Sequence, residues 1–254
     1  MDALRLILIL SLLSFSSSAV AADNGGEKVT LGLYYESLCP YCSNLIVNYL
    51  YKLFESDLIS ITDLELIPYG NAKVHPNGTI TCQHGPYECL LNTVEACAID
   101  VWPDVKDHFP FIYCVESLVY QHNYTYWETC FEKLGLDASP VTDCYKGKRG
   151  TELILRYAAK TNALQPPHRY VPWVVVDGQP LYDDYRNFAY YICKAYKGTT
   201  KPTACTGLSF GLIRKVKMNL FDTLYGDKIS QSKLFEAVQA ILSWLQRNKT
   251  VASL

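Results

Sequence analysis

The sequence predicts an α/β fold built around one pair of cysteines, with a helical insertion stapled by disulfides. Three observations predict it. A period-two apolar run at 29–35 leads directly into Cys39-Pro40-Tyr41-Cys42, and a helical apolar stripe follows. A β-branched run at 170–176 ends in Asp177-Gly178, the signature of a buried strand and a tight turn. Between these halves, residues 82–162 carry helical periodicity and six of the other cysteines.

The elements follow in order. After the first strand, Leu45, Ile46, Tyr49, Leu50, Leu53 and Phe54 make one face of a helix over 43–56. Pro40 suits a first helical position, because its missing N–H would be unpaired there. Cys39 therefore sits at the N-cap and Cys42 one turn inside. A second strand is expected at 61–67, closed by Pro68 and Gly70, and Asn77-Gly78 marks a turn. Helices are expected at 86–97, 104–120, 124–134 and 150–160. The strand at 170–176 places Pro172 at a first strand position or an edge, since proline cannot donate to a ladder. A hairpin then leads to 179–182, and a helix over 184–196 closes the set. The order β-α-β, helices, β-β-α is that of a thioredoxin-like fold with a disulfide-stapled helical insertion. Such folds carry a cis proline before the third strand, against the redox cysteines, so Val171–Pro172 is expected to be cis and Pro172 to support the active site.

The junction has chemical consequences. A thiolate at Cys39 meets the free N–H groups and positive end of the helix, which favour the anion. Cys39 is thus expected as an exposed nucleophile of lowered pKa, and Cys42 as the thiol that resolves its mixed disulfide. A zinc half-site needs a second close pair, and Cys82 and Cys89 are seven apart, so no metal is expected. An inert structural disulfide is the other alternative.

Residues 1–22 read as a signal peptide: Arg5, an apolar core at 6–13 and the small-residue site Ala19-Val20-Ala21-Ala22. That core falls short of the ~20 residues that span a bilayer, and no later transmembrane segment is expected. A net charge of −2 argues against a nucleic-acid partner. Ten cysteines in a secretory chain imply oxidising conditions, and setting Cys39 and Cys42 aside leaves eight, with ~105 connectivities. Cys114 and Cys130 lie equally far from a turn at 122, and Cys193–Cys205 would close the last helix on its following loop. Cys89 and Cys97 on one helix would be roughly 12 Å apart, beyond disulfide reach. Sequons at Asn77, Asn123 and Asn248 fit the same compartment.

With these residues in view, the chain closely resembles the gamma-interferon-inducible lysosomal thiol reductase family. The family signature C-Q-H-G-x2-E-C-x2-N-x4-C is unbroken as Cys82, Gln83, His84, Gly85, Glu88, Cys89, Asn92 and Cys97. The redox C-x-x-C lies upstream, and the stretch from Leu164-Gln165-Pro166-Pro167-His168 to Pro172-Trp173 is similar too. The resemblance covers about 29–205. It implies an enzyme that reduces protein disulfides in acidic endosomal compartments through Cys39 and Cys42. No bound cofactor is implied; an external small-molecule thiol supplies the electrons, and disulfide-bonded proteins are the substrates. Lysosome, vacuole and extracellular space stay open as destinations.

Within the signature, Gly85 and Pro86 read as a helix start whose first-turn N–H groups Glu88 serves. Cys82, Cys89 and Cys97 read as staples. His84 is either a satisfied structural histidine or a proton-handling one, and His168 lies near enough to Pro172 to approach the site. At about pH 5 a thiol of ordinary pKa, about 8.5, is ionised in roughly one molecule in three thousand, so the fold must acidify Cys39. No cation lies close in sequence, and Glu36 would oppose the shift. Secretory disulfide oxidases or isomerases, and non-enzymatic disulfide-rich binding proteins, are the competing functions. The domain is expected to span 23–207. An extension at 208–254 follows, with a helical face of Leu234, Phe235, Val238, Ile241, Leu242 and Leu245, dispensable for the chemistry.

Overall fold

The computed structural model describes residues 28–206. The signal peptide, the extension after 207 and Asn248 lie outside them. A four-stranded sheet has the order β2-β1-β5-β6, formed by β1 (Val29–Tyr35), β2 (Thr62–Pro68), β5 (Trp173–Val176) and β6 (Gln179–Pro180). β1 pairs parallel with β2 and antiparallel with β5, with Leu33 opposite Leu66 and Val174. Pro68 closes β2 at the sheet edge, where a missing donor is tolerated. Asp177 and Gly178 both take positive φ (48° and 77°), as a two-residue hairpin turn requires. This order, with a helix after β1 and another after β6, is the thioredoxin-like arrangement.

Period-two alternation divides the sheet's residues between its faces. Leu31, Leu33, Tyr35, Leu64, Leu66, Val174 and Val176 enter the main core. Tyr34, Ile67 and Trp173 form a smaller cluster on the other face. The main core is covered by the segment after β1 and by α8 (Phe188–Ala195). That segment is not the single α-helix expected over 43–56. It comprises α1 (Pro40–Leu45), a π-turn at Ile46–Leu50 and α2 (Lys52–Glu55), with Tyr51 N–H bonded to the Ile46 carbonyl. The extra residue in the wide turn keeps Leu45, Ile46, Tyr49, Leu50, Leu53 and Phe54 all buried.

The insertion has a core of its own. It comprises a small hairpin of β3 (Lys73–Val74) and β4 (Ile80–Thr81), then α3 (Pro86–Val101), α4 (Val105–Tyr120), α5 (Thr129–Leu134), α6 (Ser139–Lys146) and α7 (Lys148–Asn162). Leu91, Val94, Phe111, Val115, Phe131 and Val141 meet at its centre. Several boundaries differ from the sequence expectation. α3 runs one turn past Cys97, because Ala98 to Val101 keep helical propensity up to Trp102-Pro103. The helix expected at 124–134 is a 3₁₀ turn at Tyr124–Tyr126 followed by α5, and Thr129 Oγ1 bonds back to the Tyr126 carbonyl at 2.8 Å. α6 was not expected, although Pro140 in its first turn is a start signal. The helix expected at 184–196 begins as a 3₁₀ turn over Tyr182–Asn187 and is α-helical only in α8.

Four disulfides staple these pieces. Cys82–Cys89 ties the end of the hairpin to α3, Cys97–Cys144 joins α3 to α6, and Cys114–Cys130 joins α4 to α5. Cys193–Cys205 holds α8 against α9 (Thr203–Thr206). Cys39 and Cys42 are left as the free thiols among the described residues. No helix among the described residues is long and apolar enough to cross a membrane.

Candidate active site

The dithiol stands where β1 gives way to α1. Cys39 has extended backbone (φ −73°, ψ 122°) and is the N-cap, Pro40 opens the helix, and the N–H groups of Cys42 and Ser43 both reach the Cys39 carbonyl. Cys42 is fully buried. Cys39, expected to be exposed, is only 4% exposed. The cause is the segment before β5: Val171 and Pro172 are buried, their peptide bond is cis, and Cys39 Sγ lies 3.8 Å from the Val171 carbonyl. Tyr41, at 58% exposure, is the outward-facing member of the motif.

The two thiols are electrostatically unequal. A hydrogen bond from the Cys42 thiol is the largest influence lowering the Cys39 pKa, and burial opposes it. The backbone N–H groups of Cys42 and Tyr41 add to the lowering, and the Glu36 carboxylate works against it. The helix start is thus only part of the device, and its neighbouring thiol is the larger part. Cys42 is pushed well up, first by burial and then by its bond to Cys39 and the charge there. The proton is held more tightly at Cys42 than at Cys39.

The signature residues converge on the connector Glu36-Ser37-Leu38, which delivers Cys39. Asn92 Oδ1 accepts the Ser37 N–H at 2.9 Å, and Ser37 Oγ donates to the Glu88 carbonyl at 3.3 Å. Glu36 Oε2 accepts the Asn71 N–H at 2.8 Å, and Asn71 Nδ2 donates to Gln83 Oε1 at 2.6 Å. Glu36 presses on Gly70, whose φ of 60° and missing Cβ leave room for that carboxylate. Contrary to the expectation, Glu88 does not serve the first turn of α3. Its carboxylate turns back to the preceding loop, accepting the N–H groups of Gln83 (3.0 Å) and His84 (3.1 Å) and bonding His84 Nδ1. Gly85, at φ 90°, sets that loop's direction. His84 Nδ1 also lies 3.5 Å from Glu36 Oε1, so one imidazole spans two buried carboxylates. Glu36, His84 and Glu88 have the composition of a metal site, with one ligand atom of each within 4.8 Å of the others. Both Glu88 oxygens already accept backbone N–H groups, so hydrogen bonds take up part of the cluster's acceptor capacity.

The remaining histidines do other work. His108 is buried against the Trp102 carbonyl and His75 bonds Thr81 in the small hairpin. His168 is half-buried, its pKa lowered by desolvation. Asn77 and Asn123 are exposed, as a modified asparagine must be. Sequence reasoning missed Glu95 and Glu116. Both are fully buried, and Tyr35 Oη donates to Glu95 Oε2 at 2.5 Å. The signal was present as a lone acid inside each of two apolar helical runs, Val94-Glu95-Ala96 and Val115-Glu116-Ser117-Leu118.

Comparison with known proteins places the chain among relatives. Residues 30–134 match the family model described as gamma interferon inducible lysosomal thiol reductase (GILT). A gamma-interferon-responsive lysosomal thiol protein of Arabidopsis thaliana is 49% identical over 200 residues, covering 77% of this chain and 82% of that protein. The gamma-interferon-inducible lysosomal thiol reductase of Mus musculus is 38% identical over 186 residues, covering 71% of this chain and 73% of that one. Among solved structures, a putative protein disulfide isomerase from Nitrosomonas europaea aligns with a TM-score of 0.45 at 13% identity, over 59% of this chain and 85% of that one. With extensive identity to relatives across most of their length, the chain belongs to the gamma-interferon-inducible lysosomal thiol reductase family.

Proposed function

We propose that this protein reduces the disulfides of protein substrates through the Cys39–Cys42 dithiol, in an acidic compartment of the secretory pathway. The observation that carries the reading is the division of labour at the dithiol: Cys39 is held toward the thiolate by the Cys42 thiol and two backbone N–H groups. An enzyme working in acid needs that depression, because an ordinary thiol is almost wholly protonated there.

The Cys39 thiolate attacks one sulfur of the substrate disulfide, and the other sulfur leaves as a thiolate that takes a proton from water. Cys42 then attacks Cys39 Sγ, forms the Cys39–Cys42 bond and releases the second substrate sulfur. Two molecules of a small external thiol restore the dithiol, contributing one electron each and leaving joined as their own disulfide. The connector clamp of Asn92, Glu88 and Glu36 keeps Cys39 at the helix start. Names of relatives carrying the word lysosomal support the acidic setting.

The test is insulin-disulfide reduction by the wild type and by Cys39→Ser at acidic and neutral pH, with the redox potential measured alongside. Activity that persists in acid and vanishes in Cys39→Ser, with a reducing potential, supports the reading. Activity surviving the substitution overturns it, and a strongly oxidising potential assigns the same cysteines to oxidation or isomerisation.

A further inference from the structure

Two carboxylates and one imidazole meet at the connector that delivers Cys39. Glu36 follows β1, Glu88 stands in the first turn of α3, and His84 lies in the loop between β4 and α3. One ligand atom of each lies within 4.8 Å of the other two. Both acids are 0% exposed, whereas the His84 side chain keeps 34% of its surface in solvent. Glu36 Oε1 is buried and makes no hydrogen bond, yet it faces into the cluster, 3.5 Å from His84 Nδ1. That nitrogen can carry one proton, and it already bonds Glu88 Oε2. Glu36 Oε1 is thus a buried acceptor that the protein's own donors leave unserved, an arrangement that costs free energy unless something else fills it.

We propose that Glu36 Oε1, His84 Nδ1 and Glu88 Oε2 bind a divalent transition-metal ion, zinc by the chemistry of the set. An imidazole nitrogen with two carboxylate oxygens suits zinc, whereas calcium and magnesium take shells of oxygen alone. Bonds of about 2.0–2.2 Å place tetrahedral ligands roughly 3.3–3.6 Å apart. The 3.5 Å between Glu36 Oε1 and His84 Nδ1 already meets that spacing. The ion takes the place of the Nδ1 proton, and His84 draws back from Glu88 on its solvent side to admit it. Three protein ligands leave a fourth position for water on that same side. With the imidazole neutral, the two carboxylate charges balance the ion.

The surroundings supply the outer shell that such a site needs. Asn71 N–H holds Glu36 Oε2, and the N–H groups of Gln83 and His84 hold the two oxygens of Glu88. These backbone bonds fix each carboxylate and leave a lone pair for the centre. The ion fastens the Glu36-Ser37-Leu38 connector to the loop that opens α3. Because the ligands come together only in the folded chain, zinc stabilises the fold as its concentration rises. The alternative occupant is a proton alone, with His84 as an imidazolium between two carboxylates, and that arrangement binds no metal.

The experiment titrates zinc chloride into full-length protein whose Cys39–Cys42 dithiol has first been oxidised, so that no free thiol competes for the ion. Calorimetry at about pH 7, where the ligands are deprotonated, should give one ion per chain. The melting temperature should rise with added zinc. Zinc absorption-edge spectra should show one imidazole and only nitrogen and oxygen ligands, at about 2.0–2.2 Å. His84→Ala, at the exposed ligand, and Glu36→Gln should each weaken binding by at least about 10-fold and remove the rise in melting temperature. Zinc that binds both variants as it binds the wild type overturns the site. A wild type that takes up no zinc at millimolar concentration overturns it too, and leaves His84 as the counter-ion of the two acids. Should the buried Glu36→Gln variant not fold, His84→Ala and the wild-type spectrum decide. Undiminished binding by His84→Ala, or a spectrum without an imidazole ligand, refutes the assignment.

Discussion

Replacing Asn92 by alanine tests whether the signature positions the dithiol. Asn92 is 2% exposed, Ser37 is fully buried, and the bond between them joins residues 55 apart in sequence. Alanine removes the acceptor and leaves the Ser37 N–H buried without a partner, which costs about 1–3 kcal/mol. Asn92 Nδ2 already lacks a partner, so its loss adds little. At about 2 kcal/mol, a protein of this size should lose about 4–8 °C in Tm. The connector it releases ends at Cys39, so Cys39 alkylation in mild acid should slow as the thiolate loses its aligned donors. Calorimetry and iodoacetamide kinetics on one preparation measure both effects. A wild-type melting point with wild-type alkylation would show that the Asn92–Ser37 bond neither supports the fold nor positions the nucleophile.

Two further outcomes follow from buried groups and staples. Glu95 rises from 4.5 to about 7 on folding, so the native state binds its proton more tightly and stability falls as pH climbs through that window. At about 1.4 kcal/mol per unit the loss from Glu95 is about 3 kcal/mol, and Glu95→Gln should make urea midpoints fall less steeply across it, the remaining fall belonging to Glu116, whose pKa burial also raises. His108 acts in the opposite direction, since burial keeps it neutral and the unfolded chain takes up its proton below about pH 6.5; the Gln variant retains that effect. Among the disulfides, Cys97–Cys144 spans 47 residues and Cys82–Cys89 spans 7. Paired alanine substitutions should therefore cost about 4 kcal/mol for the first and about 2 kcal/mol for the second in urea unfolding. Equal losses would show that loop closure does not govern them.

What the sequence made legible was what is local. Period-two runs marked β1 and β5, helical stripes marked α3 and α4, and the Cys39–Cys42 junction followed from its flanking patterns. The π-turn at Ile46–Leu50 was hidden because an apolar stripe does not report one added residue per turn. The short α6 was hidden because few of its residues are apolar. The clamp on Glu36-Ser37-Leu38 joins residues brought together only by the fold, so Glu88 was read as a partner of its own helix. The burial of Cys39 also has a long-range cause, the Val171–Pro172 segment 132 residues away. Glu95 and Glu116 show the opposite failure. Their acids stood plainly in apolar runs, but only the packing of α3 on α4 reveals that both are fully buried.

The central claim is that Cys39 attacks and Cys42 resolves. The most direct measurement is capture of a disulfide-bonded substrate by Cys42→Ser, read on non-reducing gels and by mass mapping of the cross-linked peptide. The account predicts a mixed disulfide that accumulates through Cys39, dissolves on adding a small thiol, and is absent from Cys39→Ser. A Cys42→Ser protein that captures nothing, or a cross-link mapped to Cys42 in the Cys39→Ser protein, would contradict it.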